Sequence, residues 1–273
     1  MKYIARNIRH GLMTNFTTLL FDIRDRVALI TLNRPKAANG VNLKLASELS
    51  DAAAHCEKNA DIRAVIITGS GRFFSAGGDI KEMASHGDNV GPGIKALADQ
   101  LHIAMSTFAR MKAPVIIAVN GMAAGAGFSL AISGDLVIAS DSSAFMMAYS
   151  KAGLSPDGGS TYNLPRLIGL RRTKELMLTN RQLTANEALE WGLINEVVSA
   201  ETLMERALEL ASSLATGPLG ANGAIKRLLL ETYINDHEAQ MDLESHEISN
   251  CAASKDGREG VSAFMEKRPP DFE

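Results

Sequence analysis

Residues 114–135, PVIIAVNGMAAGAGFSLAISGD, constrain the fold of this chain more than any other stretch. Val115 to Val119 is apolar and β-branched without alternation, the pattern of a strand buried on both faces. Pro114 stands at its start, where a missing N–H costs little. Asn120-Gly121 turns the chain, and Gly125, Ala126 and Gly127 precede a short helix-like run from Phe128 to Ile132. A strand that ends in small residues at a helix start leaves backbone N–H groups with nothing in front of them. Such a place suits an anion, or a carbonyl oxygen on which negative charge develops. Two other readings compete. About twenty nearly apolar residues with Gly121 and Gly125 four apart could form a membrane helix with a dimerisation face. Asn120, the β-branched start and the glycine cluster oppose it. A dinucleotide loop would want a third glycine after Gly125-Ala126-Gly127 and a well-placed acidic partner, and both are missing. The exposed donor site is preferred.

A chain of 273 residues with 46% hydrophobic content has ample material for a core. Its formal charge of −3 leaves no basic footprint for nucleic acid. Cys56 and Cys251 sit in helical contexts without metal-ligand spacing, which suits a reducing, cytoplasmic location and argues against a disulfide scaffold. The six histidines form no HExxH-like pair, so no metal site is expected. The first residues, MKYIARNIRHGLMTN, carry basic side chains but no apolar core of a secretory signal. They read as an extension over residues 1–16, with a faint likeness to a transit peptide in Arg6 and Arg9.

In chain order, Thr17–Asp22 and Val27–Leu32 form a hairpin around Arg24-Asp25-Arg26. Asn42 caps a helix to about Lys58 with Leu45, Leu49 and Ala53 on one face. Ala64 to Thr68 is a buried strand, and Gly69-Ser70-Gly71 releases it into the loop RFFSAGGD, residues 72–79, which again ends in small residues before a helix. Residues 85–93 are polar and glycine-rich and read as a loop, with helix from about Ile94 to Arg110. Leu136–Ala139 and Ala144–Met147 are extended, and Lys151–Tyr162 is a loop that carries Pro156-Asp157-Gly158-Gly159. Helices follow at 171–178 and 185–191, then a strand at 194–198. Beyond Ala200 the pattern is only helical, over 201–215, 218–232, 235–252 and 256–267, with Leu203, Leu208 and Leu214 as apolar faces to bury. The organisation is an α/β body over 17–199 and a helical part over 200–273. The two junctions, Ser75–Asp79 and Gly125–Ser129, could aim two backbone N–H groups at one oxygen.

That pairing, in these words, resembles the crotonase (enoyl-CoA hydratase/isomerase) family. Five landmarks carry the resemblance: ITLNRPKAANG at 30–40, FFSAGGDIKEM at 73–83, PVIIAVNGMAAGAG at 114–127, LTANEALEWGLINEVV at 183–198 and GREGVSAFMEKR at 257–268. The resemblance implies a ββα spiral with a C-terminal helical trimerisation domain, assembled as a homotrimer or homohexamer. It implies an acyl-CoA substrate, with coenzyme A as part of that substrate and no separate cofactor. The oxyanion donors would be the backbone N–H groups of Gly78 and Ala126. Ala76 would meet the adenine, Arg34 and Lys36 would lie on the pantetheine and phosphate path, and Phe264 and Lys267 would reach a neighbouring subunit's CoA.

The catalytic side chains depart from the hydratase pattern that the resemblance supplies. Its two glutamate positions hold Ser129 and Tyr149, and neither is a carboxylate base at neutral pH. Asp157 is the carboxylate nearby, and FMMAYSKAGLSPDGG looks most like the 1,2-epoxyphenylacetyl-CoA isomerase branch, where the matching Asp is the acid/base. The same position is the nucleophile of 4-chlorobenzoyl-CoA dehalogenase, whose active-site His matches His102 and whose aromatic residue falls at Tyr149. By itself, Pro-Asp-Gly-Gly is also a good turn sequence. Three readings stand: an isomerase with Asp157 as base, a dehalogenase or hydrolase with Asp157 as nucleophile and His102 activating water, and a CoA-binding member without turnover. A membrane or nucleic-acid role finds no support.

Overall fold

The computed structural model describes residues 16–272, so the extension expected over 1–16 lies, Phe16 apart, outside the described residues. Strands β1 (Leu19–Arg24) and β2 (Val27–Leu32) form the expected hairpin, with Leu19 opposite Leu32. Asp25 and Arg26 make its turn at φ 48° and 69°, the left-handed pair that matches strand twist. β1 starts two residues later than the sequence pattern predicts. Thr17 and Thr18 instead bond the buried carboxylate of Glu48, which takes both main-chain N–H groups and both hydroxyls. Helix α1 (Leu43–Lys58) carries Glu48 and is capped by Asn42, whose side chain accepts from Leu45 N at 2.9 Å.

From there the chain repeats one unit: a strand in a first sheet, a short strand in a second sheet, then helix. The first unit is β3 (Ala64–Gly69), β4 (Phe73–Ser75), α2 (Ile80–Ser85) and α3 (Val90–Arg110). The second is β5 (Val115–Val119), β6 (Met122–Ala124) and α4 (Ala126–Ala131). The third is β7 (Leu136–Ser140), β8 (Ala144–Met146) and α5 (Ser160–Thr179), which breaks at Gly169 (φ 77°, ψ 157°). β9 (Leu183–Thr184), α6 (Ala185–Glu190) and β10 (Glu196–Val198) close the body. The first sheet runs β1-β2-β3-β5-β7-β10 and is parallel from β2 onward; the second runs β4-β6-β8-β9. Residues 114–135 therefore fold as strand, strand and short helix, and no helix among the described residues is long and apolar enough to cross a membrane.

The period-2 rule sorts the buried strands. Val65, Ile67, Val115 and Ile117 face the main core, while Ala64, Ile66, Ile116 and Ile138 face helix α7 (Leu203–Ala215) through Leu203, Ala207 and Ala211. The helices α8 (Leu219–Glu231), α9 (His237–Ala253) and α10 (Lys255–Glu266) follow. Of the three leucines whose faces an assembly was expected to bury, Leu203 is already buried within one chain, Leu214 partly is, and Leu208 is exposed on the single chain. Two boundaries also differ. α3 begins at Val90 rather than Ile94, because Pro92 falls in the first turn, where its missing N–H has no partner to lose. Helix also occupies 160–168, where a proline at 165 and the break at Gly169 obscure the helical period.

Candidate active site

β4 and β6 pair in parallel, Ser75 beside Ala123, so both chains leave the second sheet side by side and in the same direction. Their exits touch. A Cβ on Gly77 (φ 97°) would lie 2.8 Å from Ala124 O, and one on Gly127 would lie 2.4 Å from Ser75 O. Only glycine allows two backbones this close.

The first exit is braced by residues 38–41. Ala76 N donates to Ala38 O (2.9 Å), Val41 N to Gly77 O (2.7 Å) and Asp79 N to Val41 O (2.9 Å). In an extended ladder the intervening residue turns its N–H to the opposite edge, so Gly78 N–H points away from the brace. Ala126 is the first residue of α4, and the first bond of that helix runs from Ser129 N to Gly125 O. Among the described residues neither Gly78 N–H nor Ala126 N–H meets an acceptor. Met83 covers Gly78, with its terminal methyl where a Cβ on Gly78 would stand.

Arg34 serves this brace. Its guanidinium donates to Asp79 Oδ2 (2.8 Å) and to Gly40 O, while Asp79 caps α2 through Lys81 N and Glu82 N. Burial would push the Asp79 carboxyl up, and the Arg34 guanidinium and the two cap N–H groups outweigh it, holding it below the usual carboxylate range. Lys36 is exposed on the 3-10 turn Pro35–Ala37, two residues before Ala38, whose carbonyl accepts the N–H of the exposed Ala76. Phe264 and Lys267 lie at the end of α10, Phe264 being 83% exposed, with no hydrogen bond or ion pair to Asp157 or to either loop among the described residues. Asn39 is a residue the sequence reading missed. Fully buried in the left-handed region (φ 52°), it donates from Nδ2 to Ser70 O and Phe73 O and accepts from Arg34 N. The signal was in the letters: a second Asn-Gly, at Asn39-Gly40, inside a landmark otherwise read for its charges.

Asp157 lies next to α4. Its main-chain oxygen accepts from Ser129 Oγ (2.9 Å) and Ser160 Oγ (2.9 Å), and Gly158 (φ 61°) lets the turn sit against Ser129. Ser129 is one helical turn after Ala126, so one short helix positions both a free N–H and the carboxylate's backbone. The side chain is partly buried, 28% exposed. Tyr149 Oη donates to Asp157 Oδ1 at 2.5 Å, and Ser129 Oγ and Tyr149 Oη are 2.9 Å apart. Burial first, then the Asp157 charge and hydrogen bond, push the Tyr149 phenol far above its ordinary range, so it stays a protonated donor.

His102, on α3, comes within 3.4 Å of Asp157 Oδ2 through Nε2. The same Nε2 accepts the Gly158 N–H at 3.0 Å, which assigns the ring proton to Nδ1. This nitrogen has no proton to give Asp157, and its lone pair is engaged rather than open to a water. The structure thus brings together Asp157, Tyr149, Ser129 and His102, and places the two donor loops edge to edge. No group of three or more His, Cys, Asp or Glu that could hold a metal occurs among the described residues.

The sequence profile of the enoyl-CoA hydratase/isomerase family matches residues 22–273. The chain is 38% identical to a 1,2-epoxyphenylacetyl-CoA isomerase of Escherichia coli K12, covering all of this chain and 98% of that one. It is also 38% identical to a probable enoyl-CoA hydratase of Rhodobacter capsulatus over 94% of this chain and 98% of the other. An enoyl-CoA hydratase subunit of Geobacillus kaustophilus superposes with a TM-score of 0.88 at 34% identity, covering 95% of this chain and 99% of that one.

Proposed function

The chain belongs to the enoyl-CoA hydratase/isomerase (crotonase) family of acyl-CoA-processing enzymes, and on that footing we propose that it is an enoyl-CoA isomerase with one carboxylate as acid and base. One observation carries this reading. The carboxylate hung from the helix that starts at Ala126 is Asp157, and the side chains packed beside it are the hydroxyls of Ser129 and Tyr149 and the His102 imidazole, whose near nitrogen is already engaged by Gly158 N–H, with no second carboxylate bonded to it among the described residues. Hydration needs a base and an acid placed around a water. Isomerisation needs a single group that removes a proton from carbon and returns it to a carbon nearby. Asp157 takes the proton, and the C–H electron pair flows into the thioester as an enolate. Gly78 N–H and Ala126 N–H hold that oxyanion, each donor worth about 3–4 kcal/mol in the transition state. The enolate electrons then reform a double bond in the shifted position while Asp157 returns the proton. No net water is gained or lost.

Ala76, in the first loop, and Lys36, on the 3-10 turn, are both exposed, as a nucleotide and pantetheine path requires, and Arg34 braces that loop through Asp79. Phe264 and Lys267 would complete the site of a neighbouring copy in a homotrimer or homohexamer. Supporting this, α9 buries none of its residues in one chain, and Ile225, Leu229, Ile248, Val261 and Phe264 are all exposed on α8 to α10. The substrate is a CoA thioester met in the cytoplasm. The E. coli relative's name, an isomerase, supports the same direction. The test is mass spectrometry of the protein incubated with a panel of enoyl- and aromatic acyl-CoAs. A product of unchanged mass is expected; gain of water or release of free CoA would overturn the isomerase reading.

A further inference from the structure

The two oxygens of the Asp157 carboxylate have different surroundings. Oδ1 accepts a 2.5 Å bond from Tyr149 Oη, and that phenol stays protonated because it is buried against the carboxylate. Among the described residues Oδ2 has one close polar neighbour, His102 Nε2 at 3.4 Å, whose lone pair already accepts the Gly158 N–H. Oδ2 therefore receives no hydrogen bond from either.

The proton count fixes the direction of the rest. Tyr149 has one phenolic proton, and it goes to Oδ1. The 2.9 Å contact between Ser129 Oγ and Tyr149 Oη must then be donated by Ser129, whose proton is shared with the Asp157 main-chain oxygen, also 2.9 Å away. The chain runs Ser129 to Tyr149 to Oδ1, and a donor into the phenol oxygen strengthens the phenol as a donor. Ser129 is fully buried on α4, so this chain is anchored in the core.

We infer that Tyr149 and Ser129 are positioning residues that commit Oδ1 of Asp157 to the protein and leave Oδ2 as the atom that carries the substrate's proton. The inference rests on the reading of Asp157 as the base. In the step, a substrate C–H bond breaks, an Oδ2–H bond forms, and the electron pair moves into the thioester. On return Oδ2–H breaks, and Tyr149 keeps its proton throughout. The carboxylate neither rotates nor trades protons with its supports, so the same proton that leaves one carbon is available to another.

The test reads the Tyr149–Asp157 bond directly, without needing turnover. In protein labelled with 13Cζ-tyrosine, the signal removed by Tyr149→Phe identifies Tyr149. That signal is expected downfield of the other tyrosines at neutral pH, and moving upfield as acid protonates Asp157 and weakens its acceptor. In Asp157→Asn the pH dependence should vanish, and in Ser129→Ala the signal should shift upfield at neutral pH. His102 is the other titratable group facing Asp157, so His102→Gln should leave the pH response in place. A Tyr149 signal that ignores pH, or whose response survives Asp157→Asn and vanishes in His102→Gln, overturns the inference. Kinetics with 3-hexenoyl-CoA give the second readout. Tyr149→Phe should lower kcat roughly 10- to 100-fold, the loss of one hydrogen bond to a charged group, with KM within about twofold. Equal kcat in wild type and Tyr149→Phe also overturns it. Full activity of Asp157→Asn, by contrast, would remove the isomerase reading while the labelled-tyrosine result stood on its own.

Discussion

The two loops that offer the candidate donors are held in different ways. The loop 76–79 is half-exposed and braced by polar contacts: three backbone bonds to residues 38–41 and the Arg34–Asp79 ion pair at 2.8 Å. The second junction opens into α4, whose six residues are all buried, with Phe128 packed edge-on to Phe145 at 6.0 Å. One loop is tied and the other is wedged. A tie depends on charge and hydrogen bonding, hence on pH. A wedge depends on volume alone, and interiors packed at crystal density give little when volume changes. An acyl-CoA has to enter past one of these loops. The polar, half-exposed one, covered by the flexible side chain of Met83, is the side that can adapt.

Alanine at two glycines breaks this comparison most sharply. Gly127→Ala places a Cβ 2.4 Å from Ser75 O, a backbone atom that cannot swing away, so it should destabilise the fold by about 2–3 kcal/mol or more. Gly78→Ala meets only the end of the Met83 side chain, which has other rotamers, so its cost should stay near 1 kcal/mol. Urea unfolding of both variants measures the difference. Equal losses would mean that the two loops are held alike.

Acid sharpens the comparison with a smaller effect. Asp79 has a folded-state carboxyl below its ordinary range, so the stability it contributes is present above its unfolded pKa, near 4, and is lost as pH falls through the folded value. Glu48 behaves the same way more strongly. Burial would raise it, and the four donors of Thr17 and Thr18, two main-chain N–H groups and two hydroxyls, bring it to about 2 from 4.5. Its share, about 2–3 kcal/mol at neutral pH, is lost between roughly pH 4.5 and 2. The wedged loop has no carboxylate of its own. Acid should therefore raise amide exchange in 75–79 before 125–131, after correction for intrinsic rates. Glu48→Gln should lower Tm at pH 7 and flatten the Tm curve between pH 5 and 2.5. A wild-type curve already flat across that range would contradict both assignments.

Much of this was legible in the letters, and the particular residues show why. Asn42 marked its helix start because a cap is a local signal, read within four residues. The run Val115–Val119 marked a strand because burial on both faces leaves no polar position in it. The strands β4 and β6 passed unseen, since three residues are too few to show alternation. The glycines and proline of residues 91–93 read as a loop although they form the first turn of α3, where the proline has no N–H bond to lose. Asp157 could be singled out because its stretch, FMMAYSKAGLSPDGG, resembles a family branch with an Asp at that position. Its contacts with Ser129 and Tyr149 could not, because residues 28 and eight positions away meet only through the fold. The lone pair of His102 was equally hidden, for the Gly158 N–H that engages it lies 56 residues on.

The most direct test of the whole account is Asp157→Asn, assayed for isomerisation of 3-hexenoyl-CoA and for CoA-thioester binding by calorimetry. The amide keeps the shape and the Tyr149 contact but cannot accept a proton. The account predicts acetyl-CoA affinity within about twofold of wild type, and turnover reduced by roughly 10²–10⁴, the usual worth of a general acid–base. Turnover near wild type, with binding intact, would show that Asp157 only shapes a turn and would contradict the central claim.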